Sequence, residues 1–335
     1  MDSIIPVYAR LVLREMERRN IDIAALFANS SLTREALLDG GDINIVDFLR
    51  ILDVGHDRLE GEHLGLILGR NMRVFALGPV GAGMVVSPTV REGLRLTESY
   101  TRLHTSYIVM QASSTLDGIR IQLLYQYEMG ALKHFHTETA ALLIQQYVED
   151  ITGQPLNDAH YRLSVPKPAD TSAYDEAFHG HLSFDGQQDE IEIPRHWLDQ
   201  PSPYFHAELW QQSQLSLSKK LQELGETRTQ SYSQHVRALL RTSEPPLPDL
   251  GQVACNLHVS ERTLNRRLQA ESSSFRQLKS EALANWAKIY LDQTEHSVES
   301  IAATLGYKDT ANFRRAFRKS TDSSPNEYRS TSTRL

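Results

Sequence analysis

Residues 257–271, LHVSERTLNRRLQAE, decide how this chain is read. Arg262, Arg266 and Arg267 stand close together there, and by composition alone they describe a solvated helix face. A second stretch changes that reading. VACNLHVSERTLNRRLQ from Val253 can be laid on IAATLGYKDTANFRRAFR from Ile301, with Ala254 on Ala302. Four residues after each alanine comes a turn position, His258 or Gly306, where left-handed backbone is easiest for glycine and tolerated by histidine. A capping residue follows, Ser260 or Asp309, and then an apolar pair at i, i+4: Leu264 with Leu268, Phe313 with Phe317. Small residue, turn, cap and apolar pair describe a helix-turn-helix, and the chain carries two, over about 250–271 and 298–321.

At 100° per residue, turning the apolar pair inward assigns the other faces. Arg262, Arg266 and Gln269 point outward in the first copy, while Arg267 lies beside the core stripe. Ala311, Arg315 and Arg318 are the equivalents in the second. An outward arginine on a helix in the major groove can bond guanine O6 and N7 together, so Arg262, Arg266 and Arg315 are the expected base readers. Asn265 and Asn312 suit adenine, and Thr310 and Ala311 suit a thymine methyl. Arg314, Arg318 and Lys319 suit phosphates, with Ser260 at the helix start. The alternative for any one of them is a solvated side chain or a surface salt bridge.

The charge distribution agrees. The net charge is −7, yet residues 1–230 hold 20 Lys+Arg against 31 Asp+Glu, whereas residues 231–335 hold 15 against 11. An acidic body carries a basic tail, the expected partner of which is double-stranded DNA. At 335 residues and 40% hydrophobic content the chain has room for two or three domains with their own cores. Apolar runs stop short of a membrane span and charges interrupt the N-terminus early, so a cytoplasmic protein without membrane association is expected. The single cysteine, Cys255, excludes an intrachain disulfide and a multi-cysteine zinc site. No metal or other cofactor is expected.

Upstream, Tyr8, Leu11, Val12 and Met16, then Ile45, Phe48, Leu49 and Leu52, fall at helical spacing. Ser87-Pro88-Thr89 reads as a serine cap followed by proline at the first position of a helix reaching about residue 104. YIVMQASSTLDGIRIQLLYQYE is a hairpin turning at Asp117-Gly118, with Ile119, Ile121, Leu123, Tyr125 and Tyr127 on one face. A helix over 137–151 follows, with Gly153 just past its end, and residues 161–197 read as weak strands and loops. His134, His136 and Glu138 raise a metal site, but at a helix start without a further ligand they read as capping or surface residues. Helical pattern over 207–224, broken near Gly225, and again over 232–240 places a domain boundary near 225–230, giving domains 1–225 and 226–335. Leu217, Leu221 and Leu224 form either a homodimer seam or a stripe packed on their own domain.

The tail resembles the AraC/XylS family of transcription regulators through VSERTLNRRLQAESSSF and SVESIAATLGYKDTANFRRAFRKSTDSSPNEYR. LGPVGAGMVVSPTVREGL and the helix after it resemble, less strongly, the long regulatory domain of that family's ornithine-utilisation-regulator branch. The resemblance implies an α+β N-terminal regulatory domain and an all-α C-terminal domain. In the latter, a linker helix over about 275–292 holds the two helix-turn-helix units on one side of the DNA, which in the family goes with asymmetric, often bent sites. It further implies an activator that places RNA polymerase at a promoter in response to a small-molecule effector. Read from the residues themselves, Arg73, Tyr125 and Tyr127 near the hairpin are an expected anchor for an organic acid or, in the alternative, core edge and surface. A regulator with no ligand, governed by a partner protein or by abundance, is the competing reading. An alkyl-transfer repair enzyme, which can carry the same DNA-binding domain, is disfavoured because Cys255 stands alone inside the first unit; no enzyme is expected. The chain departs from the family pattern at Leu283, where arginine is usual, and at Ser273 and Asp322, where glycine is usual.

Overall fold

The computed structural model describes the chain except residues 1, 2, 5, 29, 31, 60–62, 101–106, 127, 128, 131, 226–231, 258 and 333–335. It divides into two units: Met1–Gln111 with Arg120–Leu221, and Ala112–Ile119 with Gln222–Leu335. Among the described residues no helix is long and apolar enough to cross a membrane.

The first unit is α+β. Its centre is the helix Leu132–Thr152, which buries residues on nearly every side, from Phe135 to Ile151. It begins five residues earlier than the apolar stripe predicts, because its first turns bury polar side chains that hydrophobic periodicity does not register. Helix Leu64–Asn71 lies against it through two glycines. A Cβ on Gly65 would meet Glu138 at 2.4 Å, and one on Gly69 would meet Leu142 at 2.7 Å. Helices Val7–Arg18 and Ile45–Arg58 pack their predicted stripes inward around Tyr8, Val12, Met16, Phe48 and Leu52.

A five-stranded sheet runs in the order Ile108–Ser114, Gly118–Tyr125, Asp189–Pro194, His160–Arg162, His181–Ser183. The predicted hairpin is therefore one edge of a larger sheet. His160 pairs with Glu192 across an antiparallel ladder and with His181 across a parallel one. Ile119, Ile121, Leu123, Tyr161, Ile191 and Ile193 form the buried face. The other face carries an ionic cluster in which Arg120 meets Glu192 at 2.7 Å, and Arg162 meets Glu192 at 2.9 Å and Glu190 at 3.2 Å. Burial raises the Glu192 pKa, but hydrogen bonds from Arg162 and Arg120 outweigh it and hold the carboxyl below its usual range.

Two local expectations are corrected. The helix after the prolines is Val90–Tyr100, and its first turn is capped by Thr89, whose hydroxyl accepts from Glu92 N–H at 3.3 Å. Ser87 is instead buried, with its hydroxyl 3.3 Å from Tyr147 Oη. Gly93 makes room for that tyrosine, since a Cβ there would stand 1.8 Å from its hydroxyl oxygen. His136 and Glu138 are not surface caps, because the helix starts at Leu132 and carries both into the interior. Tyr174 donates to the Glu138 carboxylate, and His63, 3.5 Å from the same group, is raised in pKa mainly by its hydrogen bond to it.

The second unit is helical: Tyr232–Arg241, Leu250–Asn256, Glu261–Ala270, Phe275–Gln293, Val298–Thr304, Thr310–Thr321 and Pro325–Ser332. Side chains from both helix pairs and from Phe275–Gln293 enter one core, including Leu264, Leu268, Phe313, Phe317, Leu278 and Trp286. Trp286 donates its indole N–H to Ser243 O at 3.0 Å, which satisfies the one polar atom its burial takes from water.

Candidate nucleic-acid interface

Each helix pair is fixed by local chemistry. Asp249 opens the first helix of the first unit with a capping box shared with Gln252. Ser260 caps the second helix, its hydroxyl accepting from Thr263 N–H at 3.2 Å. In the second unit Ser297 and Asp309 play the same parts, accepting from Ser300 and Asn312 N–H. The turns also match. Val259 N–H bonds Ala254 O at 3.0 Å, and Tyr307 N–H bonds Ala302 O at 2.9 Å, each closing the helix that precedes it. Gly306 takes the left-handed conformation at φ 80°, whereas its counterpart His258 lies outside the described residues.

The three departures have local accounts. Asp322 occupies the left-handed position after Thr310–Thr321 at φ 59°, with its N–H on Arg318 O at 2.9 Å. Ser273 is not itself left-handed. The residue before it, Ser272, takes φ 53°, and Ser273 N–H closes the turn on Leu268 O at 2.9 Å. Leu283 packs its side chain on the core, so an apolar contact stands where the family has an ion-pairing arginine.

The outward side chains fall into two groups. Arg262, Arg266 and Gln269 are exposed on Glu261–Ala270, as are Asn265 and Ser260 beside them. Arg267 is tied to the body, its guanidinium 5.6 Å above the Tyr232 ring. On Thr310–Thr321, Ala311, Asn312, Arg314, Arg315, Arg318 and Lys319 are exposed and Thr310 is half-buried. Arg262, Arg266 and Lys319 carry their charges without an ion pair among the described residues. Arg314, by contrast, meets Glu299 at 3.0 Å, and Arg318 meets Glu327 at 3.8 Å. Arg315 donates to Asn312 Oδ1 at 2.6 Å while Asn312 donates to Asp309, so the three form a chain that holds Arg315 in one direction.

Arg315, Asn312 and Lys319 also line a cleft of about 870 Å³ with Ser274, Arg276 and Gln277, from the first turn of Phe275–Gln293 and its cap. The sequence reading placed the helix start at residue 275 but did not include Arg276 among the site residues. The signal was present in Ser274, a cap with a cation two residues after it, but nothing in the sequence says that this turn faces the second unit.

The residues expected to anchor an effector are not gathered together. Arg73 donates to Arg70 O, Met72 O and Gln146 Oε1, whereas the Tyr125 hydroxyl lies 2.6 Å from Thr137 Oγ1. Gln146 and Thr137 are nine positions apart on one helix, roughly 13 Å along its axis. Tyr127 lies outside the described residues. Leu217 is fully buried within its own unit, and the side chains of Leu221 and Leu224 are outside the description.

Comparison with known proteins matches residues 21–202 to the arabinose-binding domain of AraC transcription regulators and residues 253–331 to a helix-turn-helix domain. The chain is 29% identical over 338 residues to the ornithine utilization regulator of Pseudomonas aeruginosa, spanning 98% of this chain and 96% of that one. It is 25% identical to the regulator VqsM of the same organism, over 79% of this chain and 83% of that one. The crystal structure of the transcriptional regulator CdpR from Pseudomonas aeruginosa is similar at TM-score 0.49 and 24% identity, covering 97% and 98% of the two chains.

Proposed function

Because the chain belongs to the AraC family of transcription regulators and binds DNA through its helix-turn-helix domain, we propose that it is an effector-responsive activator that reads two adjacent major-groove segments. The observation that carries this reading is the matched pair of capped helices, each presenting an arginine on its exposed face: Arg266 in one and Arg315 in the other. Arg262, Arg266 and Arg315 contact base edges, with Asn265, Gln269, Thr310, Ala311 and Asn312 beside them. Ser260, Arg314, Arg318 and Lys319 contact phosphates, and Arg276 joins them from the cleft. Binding trades the Glu299 and Glu327 partners of Arg314 and Arg318 for phosphate oxygens.

Residues 226–335 are the DNA-binding domain, and residues 1–225 sense a small molecule, the role suggested by their match to an arabinose-binding domain. RNA polymerase is the partner of the DNA-bound form, and a homodimer is the assembly that would double the site. Selection of retained fragments from genomic DNA at moderate salt tests the DNA reading. It should return sites carrying two conserved patches about one helical turn apart. Thermal denaturation against a metabolite panel tests the effector reading, since a ligand that binds only the folded state raises stability. No shift with any compound, alongside unchanged promoter binding, would favour a regulator governed by abundance or by a partner protein.

A further inference from the structure

Residues Ala112–Ile119, the tip of the predicted hairpin, belong to the second compact unit. Arg241 donates its Nε–H to Ala112 O at 2.6 Å, and Leu116 packs against the core that also holds Leu264 and Leu268 of the first reading helix, Glu261–Ala270. Burial pushes the Arg241 pKa down, and an arginine withdrawn from water costs free energy unless its donors are used. The bond to Ala112 therefore holds the tip in place. The chain enters and leaves this tip along the strands Ile108–Ser114 and Gly118–Tyr125, the edge of the five-stranded sheet.

Arg241 is the last residue of helix Tyr232–Arg241, and the other end of that helix, roughly 14 Å away, is tied to the first reading helix. Glu271, the residue that ends Glu261–Ala270, turns its carboxylate onto the first turn of Tyr232–Arg241, accepting from Tyr232 N–H at 2.6 Å and from Ser233 N–H at 2.8 Å. A carboxylate on two such N–H groups is a charge-assisted cap at the positive end of the helix dipole. Arg267 adds a second tie, its guanidinium over the Tyr232 ring. Between the two ends, Val236 and Leu240 are buried in one core with Leu264 and Leu268. The second reading helix, Thr310–Thr321, takes its ion pairs elsewhere, Arg314 from Glu299 and Arg318 from Glu327.

We infer that Glu271 and Arg241 are positioning residues for DNA reading, fastening the two ends of helix Tyr232–Arg241, one to the first reading helix and the other to the hairpin tip. The helix is then a lever, through which a displacement of the hairpin shifts Arg262 and Arg266 relative to Arg315. The inference goes beyond the two-head reading proposed above and rests on it: it says how the first head is set, and it names the strands through which that setting is changed.

Base-resolved binding selection on the full-length chain tests it. Glu271→Ala and Arg241→Ala should each weaken preference at the patch read by Arg266 by about three- to tenfold, the value of one hydrogen bond, and leave preference at the patch read by Arg315 unchanged. Arg241→Lys keeps a donor for Ala112 O and should restore most of the lost preference. A variant that had merely lost stability would lose both patches together. Should Arg241→Ala not fold, Leu116→Ala loosens the same tip from the hairpin side and carries the same expectation. Full preference at the Arg266 patch in both alanine variants, or equal loss at both patches, would overturn the inference, while a parent chain that still selects two patches leaves the two-head reading standing. A parent chain that selects a single patch would overturn that reading and the inference with it.

Discussion

At the scale of single residues, the arginines of the two exposed helices are not equivalent. Arg266 is exposed without an ion pair among the described residues, and its replacement by alanine should cost about 1 to 3 kcal/mol of DNA binding and relax preference at one base pair. An equal loss on every sequence would make it a phosphate contact. Arg276→Ala should behave in that second way, weakening all sequences alike and lowering the salt slope by about one. Glu299→Gln releases Arg314, so non-specific affinity should rise, measured as a lower Kd for random duplex at low salt. The outward arginines were legible in the sequence because helix geometry alone assigns them. The pairing of Arg314 with Glu299 was not, because the acid sits on the preceding helix and only packing brings the two together. His136 makes a prediction of another kind. Burial pushes its imidazole down to about 3 from its ordinary value of 6.5. Below that ordinary value the unfolded chain takes up a proton that the folded chain refuses. Its effect on stability is thus absent above about pH 6.5 and grows by about 1.4 kcal/mol per unit as pH falls toward 3. Denaturant unfolding of His136→Phe should show a shallower acid slope than the parent chain over that window, and an unchanged slope would show that His136 accepts its proton while folded.

At the scale of elements, caps and turns do much of the specifying. Each helix of the two units starts on an aspartate or serine that accepts a backbone N–H, so their bounds were readable from short stretches such as VSERTL and YKDTAN. Asp322, like Ser272, is a side-chain-bearing residue held left-handed in a turn where glycine is at no disadvantage. Asp322→Gly should raise stability by up to about 1 kcal/mol, readable as a higher Tm, while a fall would show that its side chain stabilises the turn. Phe317, fully buried in the second pair, should cost about 3 to 5 kcal/mol on truncation to alanine. Elements of the first unit were less legible for a physical reason. The start of Leu132–Thr152 buries His136, Thr137 and Glu138, polar residues that only tertiary packing places inside, and no apolar period announces it. The three-residue strands at His160 and His181 are too short to show an alternation; the first exists because Asp189–Pro194 offers an edge to pair with, and the second because the first does.

At the scale of the whole molecule, the basic second part coincides with the helix-turn-helix match, and the charge split pointed to DNA as its partner before any fold was known. The separation of the expected effector anchors was not legible. Arg73 and Tyr125 are far apart in sequence, and their partners Gln146 and Thr137 stand nine positions apart on Leu132–Thr152, a tertiary placement that no local pattern announces. The central claim is that the two helix-turn-helix units are matched reading heads on one DNA site. Base-resolved binding selection on the parent chain, Arg266→Ala and Arg315→Ala tests it most directly. Each variant should lose preference at its own patch alone, the two patches lying about one helical turn apart. Loss of preference at the same base pairs in both variants, or a uniform loss at every sequence, would contradict it.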